Sequence, residues 1–167
     1  MTATTVASPF DARSFRSALG CFATGIAVVT TLEPDGQPVG VTVNSFSSVS
    51  LDPPLVQFCL GRAAQSFAAF TAAPSFAVNI LADDQEDLSV RFSRREQQER
   101  WGGVAVERWD SGVPILAGCL ASLECDREHL FDAGDHVIVV GRVRRLASRP
   151  DGRPLLYFRG GYAALAE

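Results

Sequence analysis

Apolar positions follow two rhythms along this chain, one helical and one of strands. Phe15, Ala18, Leu19 and Phe22 recur at helical spacing, and Asp11 is placed to cap that segment before Gly25 ends it. Residues 26–32 are rich in β-branched side chains and predict a strand. Glu33-Pro34-Asp35-Gly36 is a turn sequence, and residues 39–43 return as a second strand, a hairpin reading. Residues 44–50 are rich in Ser and Asn around Phe46, and Asp52-Pro53-Pro54 breaks the pattern. Residues 55–60 predict a third strand, apolar on both sides and therefore central. Gly61-Arg62 turns into a short helix over 64–70, Pro74 stops it, and 76–81 predicts a fourth strand. An amphipathic helix follows over 83–93, with Leu88 and Phe92 inward. Residues 94–112 are polar, charged and glycine-bearing, the longest stretch without periodicity, which marks a functional loop. Two strands over 117–125 and 136–146 join through Ala133-Gly134-Asp135. Pro150-Asp151-Gly152 is a turn, residues 155–158 form a last strand, and Gly160-Gly161 ends it.

Short, mostly sequential strands interrupted by small helices predict a mainly β fold, an antiparallel barrel with helical insertions. The expected organisation is a loose tail over 1–9 and one domain over 10–167. The chain has 167 residues, 47% hydrophobic and 20% charged, enough to bury a core without disulfides or a structural metal. A net charge of −4 argues against broad binding to a phosphate backbone, which needs clustered Lys and Arg. Two histidines and four cysteines, with no CxxC and no His pair at ligand spacing, argue against a metal site. Cys21, Cys59 and Cys119 sit in apolar surroundings and read as small buried residues. The first residues show no basic segment followed by an apolar run. Residues 63–82 carry no charge but are broken by Gln65, Ser66, Thr71, Pro74, Ser75 and Asn79, which argues against a membrane span. A cytoplasmic protein with reduced thiols is the expectation.

No GxGxxG follows a strand, and there is neither a P-loop nor a GxSxG elbow. Carboxylates are scattered without an acid/base pairing. Composition and periodicity alone therefore stop at a β-rich domain of enzyme size. Five segments in order carry the reading further: FRSALGCFATGIAVVTT from Phe15, GVTVNSFSSVSLDPPLV from Gly40, LGRAAQSFAAF from Leu60, FAVNIL from Phe76 with its following helix ending in Arg91-Phe92-Ser93, and AGDHVIVVGRV from Ala133. With the closing YFRGGYAAL from Tyr157, they resemble the short-chain flavin reductases, the reductase partners of two-component flavin-dependent monooxygenases. The resemblance implies a Greek-key split β-barrel that dimerises and binds FMN or FAD near the subunit interface. It also implies NADH or NADPH as hydride donor.

The same resemblance maps a site. The run Thr42, Asn44, Ser45, Phe46, Ser47 and Ser48 matches the segment that lines the isoalloxazine and ribityl chain, where hydride arrival develops negative charge that needs fixed donors. A Ser-rich turn is the plain alternative for this run. Arg62, Gln65 and Ser66 lead into a helix and match the flavin phosphate segment, with Arg91 and Ser93 able to reach the same area. A capped helix with a solvated Arg is the alternative there. His136 matches the residue at the nicotinamide, acting by hydrogen bonding and stacking, with Asp135 orienting it; a surface His is the alternative. Arg159, Gly160, Gly161 and Tyr162 are further nicotinamide-side candidates, against a simple chain turn. Trp101 stands where relatives often carry Phe, and either could wall a ring. The implied activity is NAD(P)H:flavin oxidoreduction, with the reduced flavin passing to a partner oxygenase. A flavin-retaining oxidase on the same barrel and a non-catalytic flavin-binding module are the rival readings.

Overall fold

The computed structural model describes residues 9–94 and 100–165. Residues 1–8 of the expected tail and 95–99 of the expected long loop lie outside the described residues. Helix α1 (Ala12–Leu19) starts as its cap predicts: Ser14 N–H donates to Asp11 Oδ1 at 2.6 Å. It ends at Gly20 rather than Gly25, because the Gly20 N–H already closes onto the Arg16 carbonyl. Thr24–Gly25 forms a short strand, β1. The apolar side of α1 is not inside: Phe15 is 49% exposed, Leu19 58% and Phe22 77%.

The first hairpin is β2 (Ala27–Leu32) and β3 (Pro38–Val43), in register from Ala27 opposite Val43 to Leu32 opposite Pro38. Its turn is the predicted one, with Gly36 at φ 85° and Asp35 accepting from the Gln37 N–H. The Ser-rich stretch is itself partly a strand, β4 (Ser47–Leu51), hairpinned to β5 (Pro54–Gly61) across Asp52-Pro53. Then come α2 (Phe67–Ala72), β6 (Ser75–Ile80), a 3-10 turn at Asp83–Gln85 and α3 (Glu86–Ser93). Two short strands, β7 (Val106–Arg108) and β8 (Pro114–Leu116), pair within and beyond the stretch expected to lack structure. Residues 117–120 turn, so β9 (Ala121–Ala133) begins later and runs far past Cys125. β10 (His136–Ser148) pairs with it along its length. The chain closes with β11 (Leu156–Phe158) and β12 (Gly161–Ala163). Gly160 and Gly161 do not end the chain's order but form a hairpin.

Seven strands make one antiparallel sheet in the order β3-β2-β6-β9-β10-β5-β4. The β5-to-β6 connection, which carries α2, passes over the β9–β10 hairpin in Greek-key fashion. β5 is interior but next to the edge, between β10 and β4. Its residues alternate, with Val56, Phe58 and Leu60 buried and Leu55, Gln57 and Cys59 half-buried, so only one face is sealed. One apolar cluster gathers Val39 and Val43 from β3, Val29 from β2, Phe76 and Val78 from β6, Val139 from β10 and Phe58 from β5, with Phe70 of α2. Strands near opposite ends of the sheet thus share one core, which requires the sheet to curl into a barrel left split between β3 and β4. Bulges at Val140/Gly141 and Val143/Arg145 supply part of the bend.

Buried Asn79 ties four strands together. Its Nδ2 donates to the Val28 carbonyl and to Thr30 Oγ1, and its Oδ1 accepts from Leu116 N–H and Ser122 Oγ–H. Every one of its hydrogen-bonding positions is used, which is what a fully buried amide needs. A second cluster, with Ile26, Val28, Leu81, Phe92, Leu116 and Leu155, seals the outer side of the sheet beneath α3. The burial of the cysteines differs from expectation, with Cys21 exposed and Cys59 and Cys119 half-buried, while all four thiols are free as expected. Burial pushes the Cys119 and Cys125 thiols up to about 12. Among the described residues, no helix is long and apolar enough to cross a membrane.

Candidate functional site

The last turn of α3 brings two cavities side by side. The first, about 250 Å³, lies among Thr42 and Asn44 at the end of β3, Ser89 and Ser93 on α3, and Tyr157 and Tyr162 on the β11–β12 hairpin. The second, about 230 Å³, lies among Ala64, Gln65, Ser66, Arg94 and Arg100, and Ser93 is common to both. Ser89 and Ser93 stand one helical turn apart, so a single face of α3 supplies both hydroxyls.

The walls are fixed by bonds between elements. Tyr162 Oη lies 2.9 Å from Ser89 Oγ, and Thr42 Oγ1 donates to the Ser89 carbonyl at 2.7 Å. The Tyr157 and Tyr162 rings meet edge to face at 5.7 Å. α3 can lie this close to β3 because Gly40 has no side chain: a Cβ there would be 2.7 Å from the Phe92 ring. Arg100 donates from Nη1 to the Gly40 carbonyl at 2.8 Å and is only 5% exposed. Burial holds its guanidinium below the ordinary arginine value. Ser66 is buried too, and its hydroxyl makes no cap bond to α2, which starts at Phe67, three residues later than expected.

The structure gathers some of the expected residues and separates others. Thr42, Asn44 and Tyr162 line the first cavity, Gln65 and Ser66 the second, and Ser93 both. Ser45 instead staples β5: its hydroxyl accepts from the Cys59 N–H at 2.9 Å and donates to the Cys59 carbonyl. Phe46 packs on the main core. Ser47 and Ser48 stand on the exposed edge strand, with Ser47 Oγ accepting from Gln57. Arg62 is drawn to the β9–β10 turn, where it pairs with Asp132 and donates to the Gly134 carbonyl. It lines neither cavity. Arg91 donates to the Gly102 carbonyl at 2.8 Å and also lies outside both linings. Arg159 (φ 49°) and Gly160 (φ 85°) are the two central residues of a type I′ turn that joins Phe158 to Gly161. Both face solvent at its tip.

His136 sits opposite Gly61 in the β5–β10 register, with its Nε2 3.5 Å from where a Gly61 Cβ would stand. It lines neither cavity, but Gly61 leads directly to Ala63 and Ala64 of the second. Its Nδ1 is 2.7 Å from Asp135 Oδ1, and that bond holds the Asp135 carboxyl below the usual carboxylate range. Trp101 packs edge-on against Phe92 at 4.9 Å, and its Nε1 is buried without a partner among the described residues. Sequence reasoning missed Ser89, Tyr157, Arg94 and Arg100. The four-residue step from Ser89 to Ser93 was the available signal for the first of these.

The donor set suits a molecule with two chemically different ends. One chamber offers a carboxamide, hydroxyls and two aromatic rings without charge. The other offers the buried Ser66 hydroxyl and the exposed Gln65 amide beside a guanidinium, which suits an anion. A phosphorylated aromatic heterocycle such as a flavin mononucleotide fits that division. Among the described residues, no three His, Cys, Asp or Glu side chains are grouped to hold a metal ion.

Comparison with known proteins bears on this geometry. Residues 19–166 match the flavin reductase like domain. The chain is 47% identical over 152 residues to the FMN reductase (NADH) SmoA of Agrobacterium fabrum, covering 91% of this chain and 85% of that one. It is 40% identical over 159 residues to the reductase subunit HsaB of a flavin-dependent monooxygenase from Rhodococcus jostii, covering 95% and 80%. The NADH:FAD oxidoreductase SgcE6 of Streptomyces globisporus, solved in complex with NAD and FAD fragments, superposes with a TM-score of 0.89 at 35% identity over 98% of both chains.

Proposed function

The chain belongs to the flavin reductase like domain family, and from that premise we infer that the two neighbouring cavities are its flavin site. The protein is an NAD(P)H:flavin oxidoreductase that reduces FMN or FAD and supplies the reduced flavin to a partner monooxygenase. The observation that carries the site assignment is Ser93, which borders both an uncharged aromatic chamber and an anion-suited one. A bound flavin supplies the ring that takes a hydride from the nicotinamide.

The chain's own residues bind and orient. Thr42 and Asn44 border the ring end, where Asn44 offers an amide to the pyrimidine edge as negative charge develops. Tyr162, held by Ser89, and Tyr157, packed edge to face on it, wall off water on that side. Gln65 and Ser66 hydrogen-bond the phosphate end, and Ser93, whose hydroxyl donates to the Val90 carbonyl at 2.7 Å, borders it. His136, oriented by Asp135, positions the nicotinamide, since hydride transfer needs alignment rather than an acid or base at the donor carbon. Arg159 and Gly160 act through the tight turn that holds Tyr162 in place. The reduced flavin has to leave on each cycle, so the site is one of moderate affinity.

A homodimer is part of the proposal. Its support is the run Phe15, Leu19 and Phe22, exposed on and just beyond α1, an apolar surface of the kind that a second copy buries. A cytoplasmic location is also proposed, supported by the four free thiols. Ser66→Ala tests the site: it weakens FMN by about fivefold or more, the worth of one hydrogen bond, and leaves riboflavin unchanged. Equal binding of FMN to the variant and the parent protein would remove the phosphate from this cavity.

A further inference from the structure

The turn that leads into His136 lies at the tip of β9 and β10, two strands of 13 residues each. Hairpin tips are where a backbone moves most freely. Past Asp126, β9 has left its pairing with β6 and is held by β10. On its other side β10 pairs with β5, as far as His136 opposite Gly61. Arg62 is the next residue after that pair.

Three hydrogen bonds run from Arg62 to this turn. Its backbone N–H donates to the Asp135 carbonyl at 2.9 Å, its Nε donates to the Gly134 carbonyl at 3.3 Å, and its Nη2 pairs with the Asp132 carboxylate. The strands stand in the order β9-β10-β5, so the side chain passes over the end of β10 to reach Asp132 on β9. Its guanidinium carbon lies 5.9 Å from the centre of the Phe67 ring, and Phe67 opens α2 and packs on the main core. Arg62 therefore straps both arms of the tip to a fixed part of the barrel. The tip in turn holds His136, because Asp135, whose carbonyl takes the Arg62 N–H, places Oδ1 2.7 Å from His136 Nδ1.

We propose that Arg62 is a positioning residue for the nicotinamide half of the reaction, fixing the β9–β10 turn so that Asp135 and His136 meet the hydride donor in one orientation. The role rests on the place given to His136 above and names what holds that residue there. Hydride transfer depends steeply on alignment, so freedom at the tip is felt as weaker productive binding of NADH. It is felt little in folding: the Arg62 side chain is 43% exposed and that of Asp132 90%, and such surface pairs add little to stability. The flavin cavities are lined without Arg62. Its backbone bond to Asp135 survives a change of side chain, so the following segment keeps its course into the second cavity.

The test is steady-state kinetics on wild type, Arg62→Gln, Arg62→Lys, His136→Ala and the double variant Arg62→Gln/His136→Ala. NADH is varied at fixed FMN, then FMN or riboflavin at fixed NADH, and thermal melts report folding. Arg62→Gln is expected to raise the KM for NADH by about three- to tenfold, the worth of a hydrogen bond, with the KM for each flavin within about twofold of wild type. Arg62→Lys keeps the pair with Asp132 but loses the planar fork, and falls between the two. In the His136→Ala background Arg62→Gln changes the NADH KM by less than about twofold, because the residue it acts through is gone. A wild-type NADH KM in either folded Arg62 variant overturns the proposal, and Arg62→Lys carries the test if Arg62→Gln does not fold. Effects that multiply in the double variant overturn it as well, since Arg62 then acts apart from His136. A KM that rises for FMN and not for riboflavin returns Arg62 to the phosphate. A lowered melting temperature with all three KM values raised reduces it to a general brace. Failure of His136→Ala itself to change the NADH KM removes the nicotinamide reading underneath, and that single variant tells this result from the others.

Discussion

Gly40→Ala puts the packing of the site to a sharp test. A methyl group at this position of β3 would stand 2.7 Å from Cδ1 and Cε1 of Phe92 and 3.3 Å from the Trp101 ring. Neither ring has room to yield: Phe92 is fully buried, and Trp101 is packed against it at 4.9 Å. Overpacking of this sort costs about 1–3 kcal/mol. Replacing a strand glycine by alanine gives back roughly 0.5–1 kcal/mol through the unfolded chain. The net is a loss of up to about 2.5 kcal/mol, or a fall in Tm of up to roughly 10 °C for a chain of this length. The perturbation also reaches the site, because Phe92 lines the second cavity and Arg100 is anchored on the Gly40 carbonyl. FMN affinity therefore falls together with stability. Gly25→Ala is the control, since nothing lies within 4 Å of its added Cβ; it should be neutral or slightly stabilising and leave FMN binding alone. Thermal melts and FMN titrations of both variants decide the matter. A Gly40→Ala protein as stable as wild type with unchanged FMN affinity would refute the close α3–β3 packing on which the site depends.

Other predictions address the core, the nicotinamide side and the charges. Asn79→Ala orphans the buried Leu116 N–H and the Ser122 hydroxyl, and should cost about 2–4 kcal/mol in urea unfolding; a loss below about 1 kcal/mol would show that those groups find other partners. His136→Ala should raise the KM for NADH by about five- to tenfold while changing the flavin KM little, and the opposite split would move His136 off the nicotinamide. Glu128 has its pKa lowered by the Arg142 hydrogen bonds, so its contribution is present above the ordinary value of 4.5 and lost as pH falls through the depressed folded value. Urea midpoints of wild type and Glu128→Gln should differ at pH 7, and the gap should shrink as pH is lowered below 4.5; a constant gap down to acid unfolding would mean the pair does not titrate with folding.

The parts of the fold that could be read from sequence are those where local chemistry and tertiary packing agree. Asp11 caps a helix and Asp35-Gly36 turns a hairpin whatever lies around them. β4 escaped because its serines earn their place through pairing with β5 and not through propensity. The far half of β9 escaped for a related reason: residues 127–133 pair only with β10, carry charge, and show no clear alternation. α1 illustrates the reverse case, since its helical spacing was plain but the surface it turns outward was not. In the candidate site, the Ser- and Asn-rich run was legible as a group, yet only its neighbour Thr42 and Asn44 reach the first cavity, while Ser45 is spent on β5. The fate of Arg62 was not legible either, because the pull of Asp132 comes from a strand distant along the chain.

The most direct measurement is NADH and NADPH oxidation followed by absorbance, with and without added FMN, FAD or riboflavin. The account predicts that consumption of at least one nicotinamide donor is slow without added flavin and rises steeply and saturably with FMN or FAD. A protein that binds these flavins and yet oxidises neither donor would contradict it.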